Sequence, residues 1–375
     1  MELPGEPVQA ESAFGADPLN LIRVIPAKGG RFRTVPRTVI FFREGFKMKR
    51  TVLLILLMFL VSSLVLSEKL VVYTYDSLLP LAREAFPKFE ELTGIEVVVR
   101  TYGDAGAVLS KVIAEREKSD VDVVIGIDNL LAKRAFEEDI FLSYKPKNAD
   151  SIVDKSLIFD PQWRLTPYDY GAIAIIYDHA EYGKLDIESL DQLTEKRFRR
   201  SLIIQDPRTS STGLSFVMWT YLLHQEDEDF VEFWRNLKDS ILTITFGWDD
   251  AFEKFEAGEA PMMVSYATDG AYSYHYYGKV YYGAIIPGGK GYVQIEGAGI
   301  CKWTDNLEAA QKFIDFLISP ECQNSIPLNQ WMFPVIEIDL PEAFNYAVKP
   351  TELLSVPENI DIEKIIALWE SVIYE

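Results

Sequence analysis

The sequence predicts an α/β protein of two lobes joined by two crossovers. Three observations predict it. From Leu70 onward short apolar runs alternate with stretches of helical period, the mark of strand–helix–strand units and a mostly parallel sheet. The alternation lapses in a loop-rich stretch before Ala172 and then resumes. Two α/β units follow, joined near Tyr168–Gly171 and again near Ile286–Tyr292. The chain has 375 residues, 48% of them hydrophobic and 13% aromatic, which is enough for about two domains and a large core.

The elements follow in order. Leu70 to Tyr75 reads as a buried strand. Leu78 to Leu92 reads as a helix, with Leu81, Ala85, Phe89 and Leu92 three and four residues apart, and Thr93 and Gly94 end it. Ile95 to Tyr102 is a strand, Ala107 to Glu115 a helix, Val121 to Ile127 a strand and Asn129 to Phe136 a helix. The second unit holds strands at Ala172–Tyr177, Leu202–Gln205, Leu242–Phe246, Met262–Tyr266 and Val280–Ile286. Its helices are Leu214–Leu223 and Phe230–Leu237. A strand at Tyr292–Cys301 and helices at Asn306–Ile318 and Ile362–Ile373 complete the chain.

Lys47, Met48, Lys49 and Arg50 precede an apolar run from Val52 to Leu66 that is interrupted by Ser62 and Ser63 and followed by Ser67. A basic start, an apolar middle and a small-residue end form the layout of an export signal. Residues 48–67 are therefore expected to be a signal peptide, with an uncleaved anchor as the alternative. Residues 1–47 are rich in Pro, Gly and Arg without periodicity, and are expected to be a mis-assigned extension ahead of a true start at Met48. The mature chain is expected outside the cytoplasm as a monomer. Its division is expected to be 68–169 with 287–345 as one lobe, 170–286 as the other, and 346–375 as a helical segment packing on both.

Net charge is −20, and residues 1–67 hold nine Lys/Arg against five Asp/Glu, so residues 68–375 carry −24. Such a chain repels phosphate backbones and suits a cationic ligand. The two cysteines, Cys301 and Cys322, flank a helix; a disulfide and two buried thiols both fit. Scattered histidines (His179, His224, His275) and the lack of a C-x-x-C motif argue against zinc. No cofactor is expected.

Ligands of open α/β sheets bind beyond the carboxyl ends of strands, so the loops there are the place to search. They hold Tyr75–Ser77, Gly103–Gly106, Asp128 and Asn129, Asp206–Gly213, Gly247–Asp250 and Ser265–Tyr272. Trp248, Tyr266, Tyr272 and Trp331 can box a flat ring and attract a cation through their π faces. The stretch Thr209–Gly213 opens a helix and offers N–H groups and hydroxyls to an anionic or hydroxyl group. Core packing is the ordinary use of a Trp or Tyr, and helix capping the ordinary use of Asp128 and Asp269.

At these residues a resemblance enters. Val72–Ser77 resembles the first strand of the thiamine-binding periplasmic proteins. So do Asp122–Asn129, Pro167–Gly171, Gln205–Ser210, Gly247 with Trp248, Ser265–Thr268 and Asn329–Val335, in the family's order over about residues 69–375. The resemblance implies a two-lobe, hinge-bending fold of the periplasmic binding type (type II-like) with two crossovers, closing near Gly171 and Pro287. It implies delivery of thiamine or its phosphates to the membrane permease of an ATP-driven importer. By position, ligand contacts fall on Gly106 and on Asp104 or Ala105, then on Ser210, Ser211 and Trp248. The loop Tyr266, Ala267, Thr268, Asp269 and Gly270 follows, with Tyr272 and Trp331; Tyr75 is a cleft neighbour. Two departures stand out. The Gly103–Gly106 loop is one residue longer than the family's Glu-Asp-Gly pattern. Ala267–Gly270 replaces its usual Thr-Thr-Ser-Pro and adds a carboxylate.

Rival readings are a binding protein for a polyamine, a ferric ion held by Tyr276 and Tyr277, and a thiamine-degrading enzyme. The last needs a cleft cysteine, and Cys301 and Cys322 stand away from the motif loops, so no enzyme is expected.

Overall fold

The structure, a computed structural model, describes residues 68–375. The segments 1–47 and 48–67 lie outside these residues. No helix of the described residues is long and apolar enough to cross a membrane.

The first element set comprises β1 (Lys69–Thr74), α1 (Leu79–Thr93), β2 (Glu96–Thr101), α2 (Ala105–Glu115), β3 (Val123–Asp128) and α3 (Leu131–Glu137). A long strand follows, β4 (Thr166–Asp178). Then come β5 (Leu202–Gln205), α4 (Ser211–His224), α5 (Asp227–Leu237), β6 (Ile241–Thr245), α6 (Trp248–Glu256), β7 (Met262–Tyr266), α7 (Asp269–Tyr277) and β8 (Tyr282–Ile285). The chain returns through β9 (Val293–Cys301), packs α8 (Leu307–Leu317) and ends in α9 (Ile362–Ile373).

The strand order is β2-β1-β3-β9-β4-β7-β5-β6. The sheet is parallel at its two ends and antiparallel in the middle. The expectation of a mostly parallel sheet therefore holds only for the βαβ units. The two strands that pass between the halves, β4 and β9, run against their neighbours.

The crossover expected as a loop at Tyr168–Gly171 is the first half of β4. Pro167, Asp169 and Gly171 hide it, because each is depleted in strands and together they break the apolar pattern. The C-terminal segment first packs Glu342–Tyr346 against α7. It then pairs Glu352–Leu353 with Lys290–Gly291 and lays α9 on α4 and α5. We propose the lobe division within β4 and just before β9, at 169/170 and 286/287. The return of the chain to the second lobe then falls at Glu342, slightly before 346.

Each half has an aromatic core. Phe89 and Phe313 meet edge to face at 5.1 Å in the first. Trp234 sits between Phe216 at 5.5 Å and Trp369 at 6.1 Å in the second. Cys301 and Cys322 are free, buried thiols, so of the two readings the disulfide gives way. Burial pushes Cys322 up to about 12.

Candidate functional site

The loops after the strands meet where the two halves face each other. Tyr75 follows β1 and is buried; its ring lies against Gly126, where a Cβ would come within 2.2 Å of it. Gly126 has φ +99°, so a side chain is excluded there both by space and by backbone.

Asp104 resolves the loop ambiguity. Its carboxylate accepts from Ala105 N at 2.6 Å, which starts α2 two residues earlier than the periodicity predicts. The same carboxylate reaches across to Trp248 N at 3.0 Å and Ser211 Oγ at 3.5 Å. Ala105 is buried in the first turn, and Gly106 packs on the backbone of Thr209. The acidic group facing the other half is thus that of Asp104.

Ser210 caps α4 through Gly213 N at 3.2 Å. Thr212 Oγ1 shares a hydrogen bond with Tyr266 Oη at 3.0 Å. Trp248 donates from Nε1 to Ser265 Oγ at 2.8 Å and stacks on Phe252 at 4.7 Å. Phe252 meets Tyr272 edge to face at 5.2 Å, and Tyr272 meets Trp331 the same way at 5.2 Å. One continuous aromatic wall results. Its end residue, Trp331, has φ +57°, a costly conformation for a bulky side chain, and it keeps the indole against Tyr272, His275 and Tyr276.

The expected 266–270 loop divides. Tyr266 stands apart from the ring contacts of the wall: its hydroxyl meets Thr212 and its ring lies beside Gly171. Ala267 is held by backbone bonds to Ala172 and Val348, and Gly270 lies against Tyr346 O, where a Cβ would come within 2.6 Å; both serve packing. Thr268 precedes α7 without a side-chain capping bond, its hydroxyl buried and unpartnered. Asp269 opens α7 as its first residue, not as its cap. Its Oδ2 has no hydrogen-bond partner, and burial pushes it up to about 7. Asp128 ends β3 and braces the turn into α3, accepting from Leu130 N at 3.0 Å and Leu131 N at 2.7 Å, but the capping position itself is Leu130.

The sequence reading missed the polar floor beneath this wall. Glu296, on β9, is buried and accepts from Tyr75 Oη at 2.5 Å, from Tyr168 Oη and from Gln294 Nε2 at 2.9 Å. Gln330 donates to Tyr75 Oη at 2.6 Å, and Gln294 reaches Ser211 Oγ at 3.4 Å. Glu296 stands in register with Asp128 on β3 and with Asp169 on β4. Three acidic residues therefore form a row across three strands, an arrangement that like-charge repulsion disfavours. Gln294 and Glu296, two residues apart on an apolar strand, were the available sign. Phe252, the backing of Trp248, was also missed.

No ion pair among the described residues reaches Asp104, Asp128, Asp169, Asp269 or Glu296. Burial pushes Asp128 and Glu296 up to about 7, and burial with the charge of Glu296 pushes Asp169 well above the carboxylate range. The folded state therefore holds protons that the unfolded chain has lost above about pH 4. Stability without ligand is expected to fall as pH rises from about 5 to 8, lowering Tm by at least about 3 °C. A scan of ligand-stripped protein across that window checks this; a Tm that rises would contradict it.

A two-lobe α/β fold whose post-strand loops converge between the halves defines a solute-binding protein. The chain matches the bacterial extracellular solute-binding protein family over residues 75–324. It is 33% identical over 295 residues to the thiamine-binding periplasmic protein of Escherichia coli (strain K12), covering 76% of this chain and 86% of that protein. A periplasmic thiamin binding protein of known structure superposes with TM-score 0.76 at 30% identity, covering 82% of this chain and 97% of that one. The apo ferric ion-binding protein A of Pasteurella haemolytica shares the fold at TM-score 0.65 and 19% identity, over 82% and 96% of the two chains. The chain belongs to the thiamine-binding periplasmic protein family, within the bacterial extracellular solute-binding proteins. These are binding components of transport and not enzymes.

Proposed function

We propose that the chain captures thiamine or a thiamine phosphate in the cleft between its lobes and delivers it to the membrane permease of an ATP-driven importer. One observation carries the reading: an aromatic wall from Trp248 to Trp331 rises beside buried carboxylates that have no cationic partner among the described residues. Thiamine carries a permanent thiazolium cation, a flat aminopyrimidine and a hydroxyethyl arm. The wall suits the rings, Asp104 and the carboxylate row suit the charge, and the start of α4 at Ser210 and Ser211 suits the arm or its phosphate. Asp269, a carboxyl raised to about 7 by burial, adds negative charge only as it ionises, and that charge favours free thiamine over the phosphate.

The ferric reading draws less support. Tyr276 packs on Tyr272 and Trp331, whereas Tyr277 donates to Glu256 at 2.9 Å, so the two phenols serve different neighbours. A polyamine would use the carboxylates and the ring faces too, but it brings no flat ring to stack on the wall.

Equilibrium dialysis of refolded residues 68–375 against thiamine, thiamine monophosphate, spermidine and ferric citrate tests the reading. Retention of thiamine above the other three is the expected result. Preferential retention of spermidine or ferric citrate would overturn it.

A further inference from the structure

We propose that Glu296 is a positioning residue that couples capture to proton release: the acidic row it centres holds a proton in the empty cleft and yields it to solvent when a cation enters. The inference rests on the reading of the cleft as a cation site.

The geometry supplies the argument. Glu296 lies on β9, one of the two strands that run between the halves. Through Tyr75 Oη at 2.5 Å it touches the loop after β1. Through Gln294, at 2.9 Å and then 3.4 Å, it reaches Ser211 at the start of α4. It therefore stands between candidate ligand contacts of both lobes.

Its charged and titratable surroundings are one-sided. Asp128 faces it from β3, Asp169 and Tyr168 from β4, Tyr75 from the loop after β1, Asp104 from the head of α2 and Tyr266 from β7. None of these is basic. Three buried carboxylates in one row, with water excluded and no cation at hand, are not all ionised together. Burial pushes both Glu296 and Asp128 up to about 7 and, with the charge of Glu296, Asp169 higher still, so the row retains proton occupancy near neutrality.

A permanent cation changes the balance. It favours the ionised row, the row gives one proton to the buffer, and the new negative charge matches the charge brought in. The Glu296 carboxylate, newly ionised, then accepts more strongly from Tyr75 and Tyr168 and fixes both rings. Affinity must accordingly rise with pH.

Calorimetry of thiamine binding to the refolded chain at about pH 7, in buffers of different ionisation enthalpy, reads the proton directly. The expected wild-type result is a buffer-dependent enthalpy that reports net release. Between pH about 6 and 8, affinity should climb by up to about tenfold per unit. Glu296→Gln, which keeps the shape and an acceptor oxygen, is expected to bind with little release and little pH dependence. Asp169→Asn, at a carboxylate with no hydrogen-bond partner, serves as the second variant and should reduce the release. Thiamine binding with a buffer-independent enthalpy would overturn this inference and leave the functional reading intact. The same release from Glu296→Gln would overturn the role of that residue. No thiamine binding at all would overturn both.

Discussion

Gly106→Val is expected to weaken thiamine binding by roughly 10- to 100-fold while the protein still folds. A Cβ at Gly106 would sit 2.7 Å from Thr209 O, a backbone oxygen that the proposed division assigns to the other lobe. A backbone carbonyl in a capping turn cannot swing aside as a flexible side chain can. Gly106 lies in the first turn of α2, where a side chain costs the helix nothing. The clash therefore acts where the start of α2 meets the turn before α4 and spares the packing behind either. Overpacking of this kind costs about 1–3 kcal/mol, and a penalty confined to one of two states shifts the equilibrium by that amount. X-ray scattering at saturating thiamine should show the variant failing to reach the compaction of the wild type. Wild-type affinity together with full compaction would mean that closure does not bring these loops together.

Trp248→Ala is expected to weaken binding by at least about tenfold. The indole is fixed twice, by its N–H bond to Ser265 Oγ at 2.8 Å and by stacking on Phe252 at 4.7 Å. A ring held this way meets a ligand without losing rotamer freedom, so nearly all of its interaction appears as affinity. A cation over its face contributes about 0.5–2 kcal/mol, and burial of the indole against the ligand adds to that. Trp248→Phe retains a face but loses the N–H bond, and should fall between the two. Tryptophan fluorescence titration measures all three proteins. Unchanged affinity in Trp248→Ala would remove that residue from the site.

Much of the fold was legible because it is local. Apolar runs and helical periods carry β1 to α3 and the strands β5, β6 and β7 within a residue or two, whereas α4 and α5 begin three residues earlier than expected and α6 carried no expectation. Three of the shifts have named causes: the Asp104 side chain lengthens α2, the Asp128 turn delays α3 to Leu131, and the Ser210 cap starts α4 at Ser211. The strand β4 was half hidden because Pro167, Asp169 and Gly171 serve long-range needs. Asp169 pairs with Glu296, and a Cβ at Gly171 would come within 2.6 Å of Met332 Sδ. Trp248 and Tyr272 were legible because the helices that carry them directly follow strands, where the topology directs the search, whereas Trp331 follows a helical turn. The acidic floor was not. Asp128, Glu296 and Asp169 are 41 to 168 residues apart in sequence, and strand register alone brings them into one row. Ala267 and Gly270 look like site residues by position, and only the path of the C-terminal segment past Val348 and Tyr346 reveals their packing role.

The central claim is that the cleft between the lobes receives a flat cation. Calorimetric titration of refolded, ligand-free residues 68–375 with thiamine tests it most directly. The account predicts saturable, submicromolar binding of one thiamine per chain. A correctly refolded protein that takes up no thiamine would contradict it.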